Sequence, residues 1–210
     1  MTVSATENPL SLRDAGISTM HLSIGETIIT TMPAMIDTVL GSCVSVTFFH
    51  APSAMAAIFH ALLPSRDSMH ISKALHDTTS RFVDSAIDAI LARFAKLHVR
   101  PANIEVKLFG GSFCIAPGQR GPLRAIVDVG AKNVLMARTQ LARHGCRISK
   151  ENVLGNQGRK LIFYTATGDV WIKPLPMTLL GKQRKALLTA TEIEDLAAVA
   201  SNSLSVRPAS

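Results

Sequence analysis

The spacing of apolar residues changes several times along the chain, and each change marks an element. His21 to Thr31, with Ile24, Ile28 and Ile29, predicts a strand or short strand pair with Gly25-Glu26 as turn or bulge. Met32-Pro33-Ala34 breaks it, because proline has no N–H to give to a ladder. Ile36 to Leu40 then leads into Val44-Ser45-Val46-Thr47-Phe48-Phe49, whose alternation predicts a strand with at least one buried face. Ala54 to Leu63 is its predicted partner, ended by Pro64. Beyond a polar stretch from Ser65 to Asp77, Thr78-Thr79-Ser80 offers a cap. Phe82, Val83, Ala86, Ile87, Ile90, Leu91 and Phe94 then follow at helical spacing. Ile104 to Phe109 reads as a strand running into Gly110-Gly111-Ser112, where two glycines let backbone approach backbone or a ligand. Gly118 to Pro122 is a loop. A second helix is expected over Asn133 to His144, with Val134, Leu135, Leu141 and Ala142 inward and Gly145 as its stop. Arg147-Ile148 opens another extended stretch, Gly155 to Arg159 is a turn, and Lys160 to Thr165 pairs with Val170 to Lys173 as a hairpin. A short helix near Glu192 to Ala200 is the last candidate element.

The central hairpin carries the candidate chemistry. A symmetric two-residue turn at Ala51-Pro52 sets Cys43 directly opposite His60, with their Cβ atoms about 4.5–5.5 Å apart on one face. A thiol and an imidazole so placed form a nucleophile–base pair. Cysteine attacks as thiolate and needs such a base, since its unperturbed pKa is about 8.5. Gly41 opens the backbone beside Cys43. Two plainer readings stand beside this one: a buried cysteine packing as a small hydrophobe, and a zinc site built from Cys43, His60 and another group. Cys114 and Cys146 have no comparable histidine and read as structural. His70 and His76 have no recognised ligand spacing and read as solvated.

Composition narrows the classes. With 210 residues, 47% hydrophobic and 18% charged, the chain suits an ordinary globular domain with tails. Aromatics are only 5%, so aliphatic side chains must fill the core. A formal charge of +7 raises the question of nucleic acid, but zinc-finger spacing, an aromatic RNA-binding signature and a continuous basic helix are all missing. A basic surface recruiting an acidic partner is the alternative. No apolar run reaches the roughly 18–20 residues needed to span a bilayer. Three cysteines at unrelated spacings, with no signal-peptide pattern, suggest reduced thiols and a cytoplasmic location.

The blocks Thr38-Val39-Leu40-Gly41-Ser42-Cys43-Val44, His60-Ala61-Leu62-Leu63-Pro64, Lys107-Leu108-Phe109-Gly110-Gly111, Gly130-Ala131-Lys132-Asn133 and Gly155-Asn156-Gln157-Gly158-Arg159-Lys160 together resemble the CheD family of chemoreceptor glutamine deamidases. The similarity runs in order from His21 to Lys173. It implies an α/β (α+β) sandwich of mixed sheets with two main packed helices, like that of a toxin deamidase. The domain expected from it covers 20–176, between an arm at 1–19 and an extension at 177–210 that is partly helical or disordered. It implies Cys43 as nucleophile, His60 as base and then acid, and a threonine just upstream of the cysteine, here Thr38, as third catalytic residue. Backbone N–H groups about Gly41, Ser42 and Cys43 would stabilise the oxyanion. No cofactor or metal is implied. The implied partners are chemoreceptor cytoplasmic domains as substrate and the phosphatase CheC; the rival reading is a non-catalytic adaptor for receptors or CheC. Ala51-Pro52 replaces the Asp-Pro of many relatives, and Ser112 the alanine common after the two glycines.

Overall fold

The computed structural model describes residues 16–66, 79–112 and 123–175. Most of the expected N-terminal arm, the polar stretch with His70 and His76, Cys114, the Gly118–Pro122 loop and the C-terminal extension lie outside them. Among the described residues nine strands form two sheets. In chain order they are β1 (Thr19–His21), β2 (Thr27–Thr30), β3 (Met35–Leu40), β4 (Val44–His50), β5 (Met55–Ala61), β6 (Glu105–Gly110), β7 (Ile148–Val153), β8 (Arg159–Tyr164) and β9 (Val170–Pro174). The helices are α1 (Val83–Lys96) and α2 (Leu123–Arg143). One sheet runs β1-β3-β8-β9 and the other β2-β5-β4-β6-β7, each mixing parallel and antiparallel pairs. The expected α+β sandwich of mixed sheets with two main helices is therefore what the chain forms.

The five-stranded sheet is the middle layer, and its central strands are buried on both faces. Val44, Val46, Phe48, Ala57 and Phe59 pack under the helices with Val83, Ile87, Ile90, Phe94, Val134 and Leu141. The Phe48 and Phe94 rings pack with centroids 6.4 Å apart and planes tilted by 39°. The opposite face, with Ala56, Ile58, Leu62 and Phe109, meets Ile36, Leu40, Leu161 and Phe163 of the four-stranded sheet. Each buried Phe or Ile side chain contributes about 1.5–3 kcal/mol on transfer from water. Two-sided burial explains why the middle strands read as almost unbroken apolar runs, and why Ser45, Thr47, His60 and Lys107 stand out as buried polar exceptions.

Three expectations need correction. Thr78 of the expected Thr78-Thr79-Ser80 cap lies outside the described residues, and the helix starts later than that cap would place it. Thr79–Arg81 is a short 3-10 turn, and Phe82 occupies the cap position of α1 without a side-chain bond. The first helical N–H groups instead use the outgoing strand: Val83 donates to the Leu63 carbonyl at 2.9 Å and Asp84 to that of Pro64 at 3.3 Å. Helix α2 begins ten residues before Asn133, running through Gly130, a residue that costs a helix about 1 kcal/mol. Gly130 is needed there because a Cβ on it would lie 2.7 Å from the Gly111 carbonyl oxygen. Finally, the buried face of α2 is Val134, Ala137 and Leu141, while Leu135 is 64% exposed and Ala142 also faces outward. Gly145, at φ 73°, ends the helix as expected.

Candidate functional site

Between β3 and β4 the chain passes from one sheet to the other in three residues, Gly41-Ser42-Cys43. Cys43 thus stands at the end of the gap between the sheets. Its side chain joins the apolar cluster of that gap with Leu40, Leu62 and Phe109, whereas Val44 turns to the helix side. It is buried and forms no disulfide.

The β4–β5 register differs from the symmetric turn. The loop has four residues, with Ala51–Ser53 in a 3-10 turn around Pro52 and Ala54 in the left-handed region at φ 50°. His50 therefore faces Met55, and His60 faces Ser45 rather than Cys43. A slip of one residue would have sent the imidazole to the other face; a slip of two keeps it on the cysteine's side. Cys43 lies just beyond the last pair, Val44 and Ala61. It is two positions along the strand from Ser45, a diagonal rather than a direct neighbour of His60.

His60 is 3% exposed and tied to the four-stranded sheet. Its Nδ1 lies 2.9 Å from Thr38 Oγ1, and the Thr38 hydroxyl lies 2.8 Å from the Leu22 carbonyl oxygen. A hydroxyl has one hydrogen. Thr38 gives it to Leu22, so the threonine oxygen must accept from His60, and Nδ1 carries the ring proton. The bare nitrogen is then Nε2, which is buried and has no hydrogen-bond partner among the described residues. Burial pushes the imidazole pKa down from 6.5 to about 4; the Leu22 carbonyl opposes this, the charge of His21 adds to it, and Glu26 opposes it. His60 is accordingly a neutral ring with one fixed tautomer. Its strand is held by the Gly25 N–H on the His60 carbonyl at 2.7 Å and the His60 N–H on the Glu26 carbonyl at 3.0 Å.

The neighbouring residue, Asp37, points out of the sandwich. Burial alone would raise its carboxyl, but bonds from Lys160 and His21 hold it below the usual carboxylate range. Lys160 Nζ is 2.5 Å and His21 Nδ1 3.0 Å from it. Alternation along β3 thus sends Thr38 to the gap and Asp37 to the outer face.

The crossover is held by its carbonyls. Gly41 O accepts from the Ser112 N–H at 2.8 Å and the Ser112 hydroxyl at 2.9 Å, and Cys43 O accepts from the Gly111 N–H at 2.8 Å. Ser42 O accepts from Asn133 Nδ2 at 3.0 Å. Gly110 makes this possible: at φ 105°, a Cβ there would sit 2.2 Å from Cys43 O. On the other flank the fully formed β3–β8 ladder ends at Leu40 opposite Arg159. The Arg159 guanidinium donates to Asn152 and to the Leu154 and Gln157 carbonyls, binding the β7–β8 loop together. Of the predicted site residues, Cys43, His60 and Thr38 share the inter-sheet gap, with Gly41 and Ser42 forming its end. Ser112, Asn133 and Arg159 are not among the predicted site residues; Asn133 and Arg159 stand in the Gly-containing blocks that carry the resemblance, and Ser112 directly follows one, where it departs from the usual alanine. Among the described residues, no group of three His, Cys, Asp or Glu side chains gathers as a metal cluster.

The fold and site define a class of protein: a double-sheet α+β sandwich with a buried cysteine, histidine and threonine at one end of the gap between its sheets. Comparison with known proteins is more specific. Residues 62–174 match the family model CheD, described as CheD chemotactic sensory transduction. A relative from Oleidesulfovibrio alaskensis is 47% identical over 169 residues, covering 80% of this chain and 77% of that protein. One from Nitratidesulfovibrio vulgaris is 42% identical, covering 82% and 88%, and one from Geobacter sulfurreducens 40% identical, covering 80% and 98%. The first two are named probable chemoreceptor glutamine deamidase CheD, the third probable chemoreceptor glutamine deamidase CheD 2. The chain belongs to the CheD family. Among the described residues no helix is long and apolar enough to cross a membrane.

Proposed function

We propose that this chain is a protein-glutamine deamidase that converts glutamine side chains of chemoreceptors to glutamate. The observation that carries the reading is the state of His60: neutral, with Nδ1 spent on Thr38 and Nε2 left bare in the gap that Cys43 closes. The relatives' names supply the substrate class.

In this mechanism Cys43 Sγ attacks the side-chain amide carbon of glutamine while His60 Nε2 takes the thiol proton. Thr38 holds the imidazolium through Nδ1–H, so the ring cannot turn as its charge develops. The amide oxygen becomes an oxyanion, met by N–H groups of Ser42 and Cys43. Collapse breaks the C–N bond, and His60 returns its proton to the nitrogen, which leaves as ammonia. A glutamyl thioester on Cys43 remains. Water, deprotonated by His60, attacks it, the C–S bond breaks, the thiol is reprotonated and glutamate is released. The chemistry uses no metal or cofactor. In this reading receptor cytoplasmic domains are the substrate, the CheC phosphatase is a proposed regulatory partner, and the chain is proposed to act in the cytoplasm.

The test is to incubate wild type and Cys43→Ala with receptor cytoplasmic fragments and map glutamine-to-glutamate conversion by mass spectrometry. The reading predicts conversion at a small set of positions by wild type and none by the variant. Identical maps would overturn it.

A further inference from the structure

Asn133 does not face the reacting atoms, yet it joins the two segments that supply them. The residue is fully buried on α2. Its Nδ2 donates to Ser42 O at 3.0 Å and to Leu62 O at 2.9 Å. Ser42 directly precedes Cys43, and Leu62 follows His60 by two residues. Both hydrogens of one amide group are thus spent on linking the cysteine's crossover to the histidine's strand. The reverse orientation would set Oδ1 against two carbonyl oxygens, so the network fixes which way the amide points. Oδ1 itself has no hydrogen-bond partner among the described residues, so only the donor half of the side chain is used.

The peptide group is planar and trans, so the carbonyl of one residue and the N–H of the next point in opposite directions. Holding Ser42 O against Asn133 therefore aims the Cys43 N–H away from α2. Ser112 does the same for the preceding plane: with Gly41 O held at 2.8 and 2.9 Å, the Ser42 N–H is turned away from Ser112. We infer that Asn133 is a positioning residue that orients the Cys43 N–H as an oxyanion donor by clamping the Ser42 carbonyl. The helix is brought close enough by the paired glycines, Gly111 against Gly130, one turn before Asn133. This deepens the deamidase reading and rests on it for the identity of the natural substrate, but not for the assignment of the donor.

Two reagents separate an oxyanion effect from a general effect on the thiol. Acylation of Cys43 by p-nitrophenyl acetate passes through a tetrahedral oxyanion; alkylation by iodoacetamide displaces iodide without one. In Asn133→Ala, the p-nitrophenol burst rate is expected to fall about 10-fold or more. The alkylation rate should stay within about 3-fold of wild type, because no oxyanion forms in that reaction. The near-isosteric Asn133→Asp is the second variant if the first does not fold, with the same split expected. Ser112→Ala, which retains the Ser112 N–H, should show a smaller loss confined to acylation. Equal falls in both rates, no fall in either, or loss of folded protein in both Asn133 variants would overturn the inference. If the split is found but wild type leaves every receptor glutamine unchanged, the substrate reading fails and the positioning role stands.

Discussion

Thr38 Oγ1 and His60 Nδ1 are 2.9 Å apart and join two different sheets, Thr38 from β3 and His60 from β5. With the threonine proton given to Leu22, this contact sets the tautomer of the imidazole and leaves Nε2 as its base. The contact is stable because each polar group it uses is buried with a partner, the Nδ1–H on the threonine oxygen and the threonine hydrogen on the Leu22 carbonyl. It is expensive to break for the same reason.

Thr38→Val keeps the shape and removes the hydroxyl. The buried Nδ1–H then lacks its acceptor, at a cost of about 1–3 kcal/mol in stability. Turnover should fall by about tenfold or more, as part of the contribution of a positioned base is lost. Thr38→Ser should recover most of both. Chemical denaturation and ammonia-release rates on the three proteins check this; equal rates for Val and Ser would remove the hydroxyl from the site.

The depressed pKa of His60 makes stability depend on pH. The unfolded ring titrates near 6.5 and the folded one near 4, so between these values the unfolded chain binds more protons. The contribution is complete above pH 6.5 and is lost as pH falls toward 4, amounting to roughly 3 kcal/mol. Denaturant midpoints at pH 7.5, 5.5 and 4.5 should therefore drop more steeply for wild type than for His60→Gln. Parallel curves would mean the ring is not held neutral by burial.

Gly110 and Gly155 both have positive φ, yet their surroundings differ. An added Cβ at Gly110 meets Cys43 O at 2.2 Å, while at Gly155 nothing lies within 4 Å. Gly155→Ala should cost only the left-handed conformation, about 1–2 kcal/mol. Gly110→Ala adds a backbone clash, for a total of about 2–5 kcal/mol. It should also slow turnover by moving the Cys43 carbonyl. Thermal unfolding of the two variants, with activity assays, tests the ranking.

Much of this architecture was legible in the residues. Alternation in Val44 to Phe49 and the run to Leu63 placed β4 and β5, and parity put Cys43 and His60 on one face. The register was not legible, because it depends on Ala54 adopting φ 50°, which alanine does not advertise. The start of α2 was hidden by Gly130, whose value lies in a contact with Gly111 that no local pattern encodes. Thr38 entered only through family resemblance. From spacing, nothing distinguishes it from Thr47, and its bond to His60 spans 22 positions and two sheets. Asn133 was hidden for the same reason: both of its acceptors lie 71 or more residues away.

Glutamine deamidation by the proposed route passes through a thioester on Cys43. Hydroxylamine added during turnover of a receptor fragment intercepts such an intermediate. Mass spectrometry should then find glutamyl hydroxamate at the same positions that otherwise become glutamate, with wild type and not with Cys43→Ala. Hydroxamate formed equally by Cys43→Ala, or glutamate formed with no hydroxamate at any hydroxylamine concentration, would contradict the account.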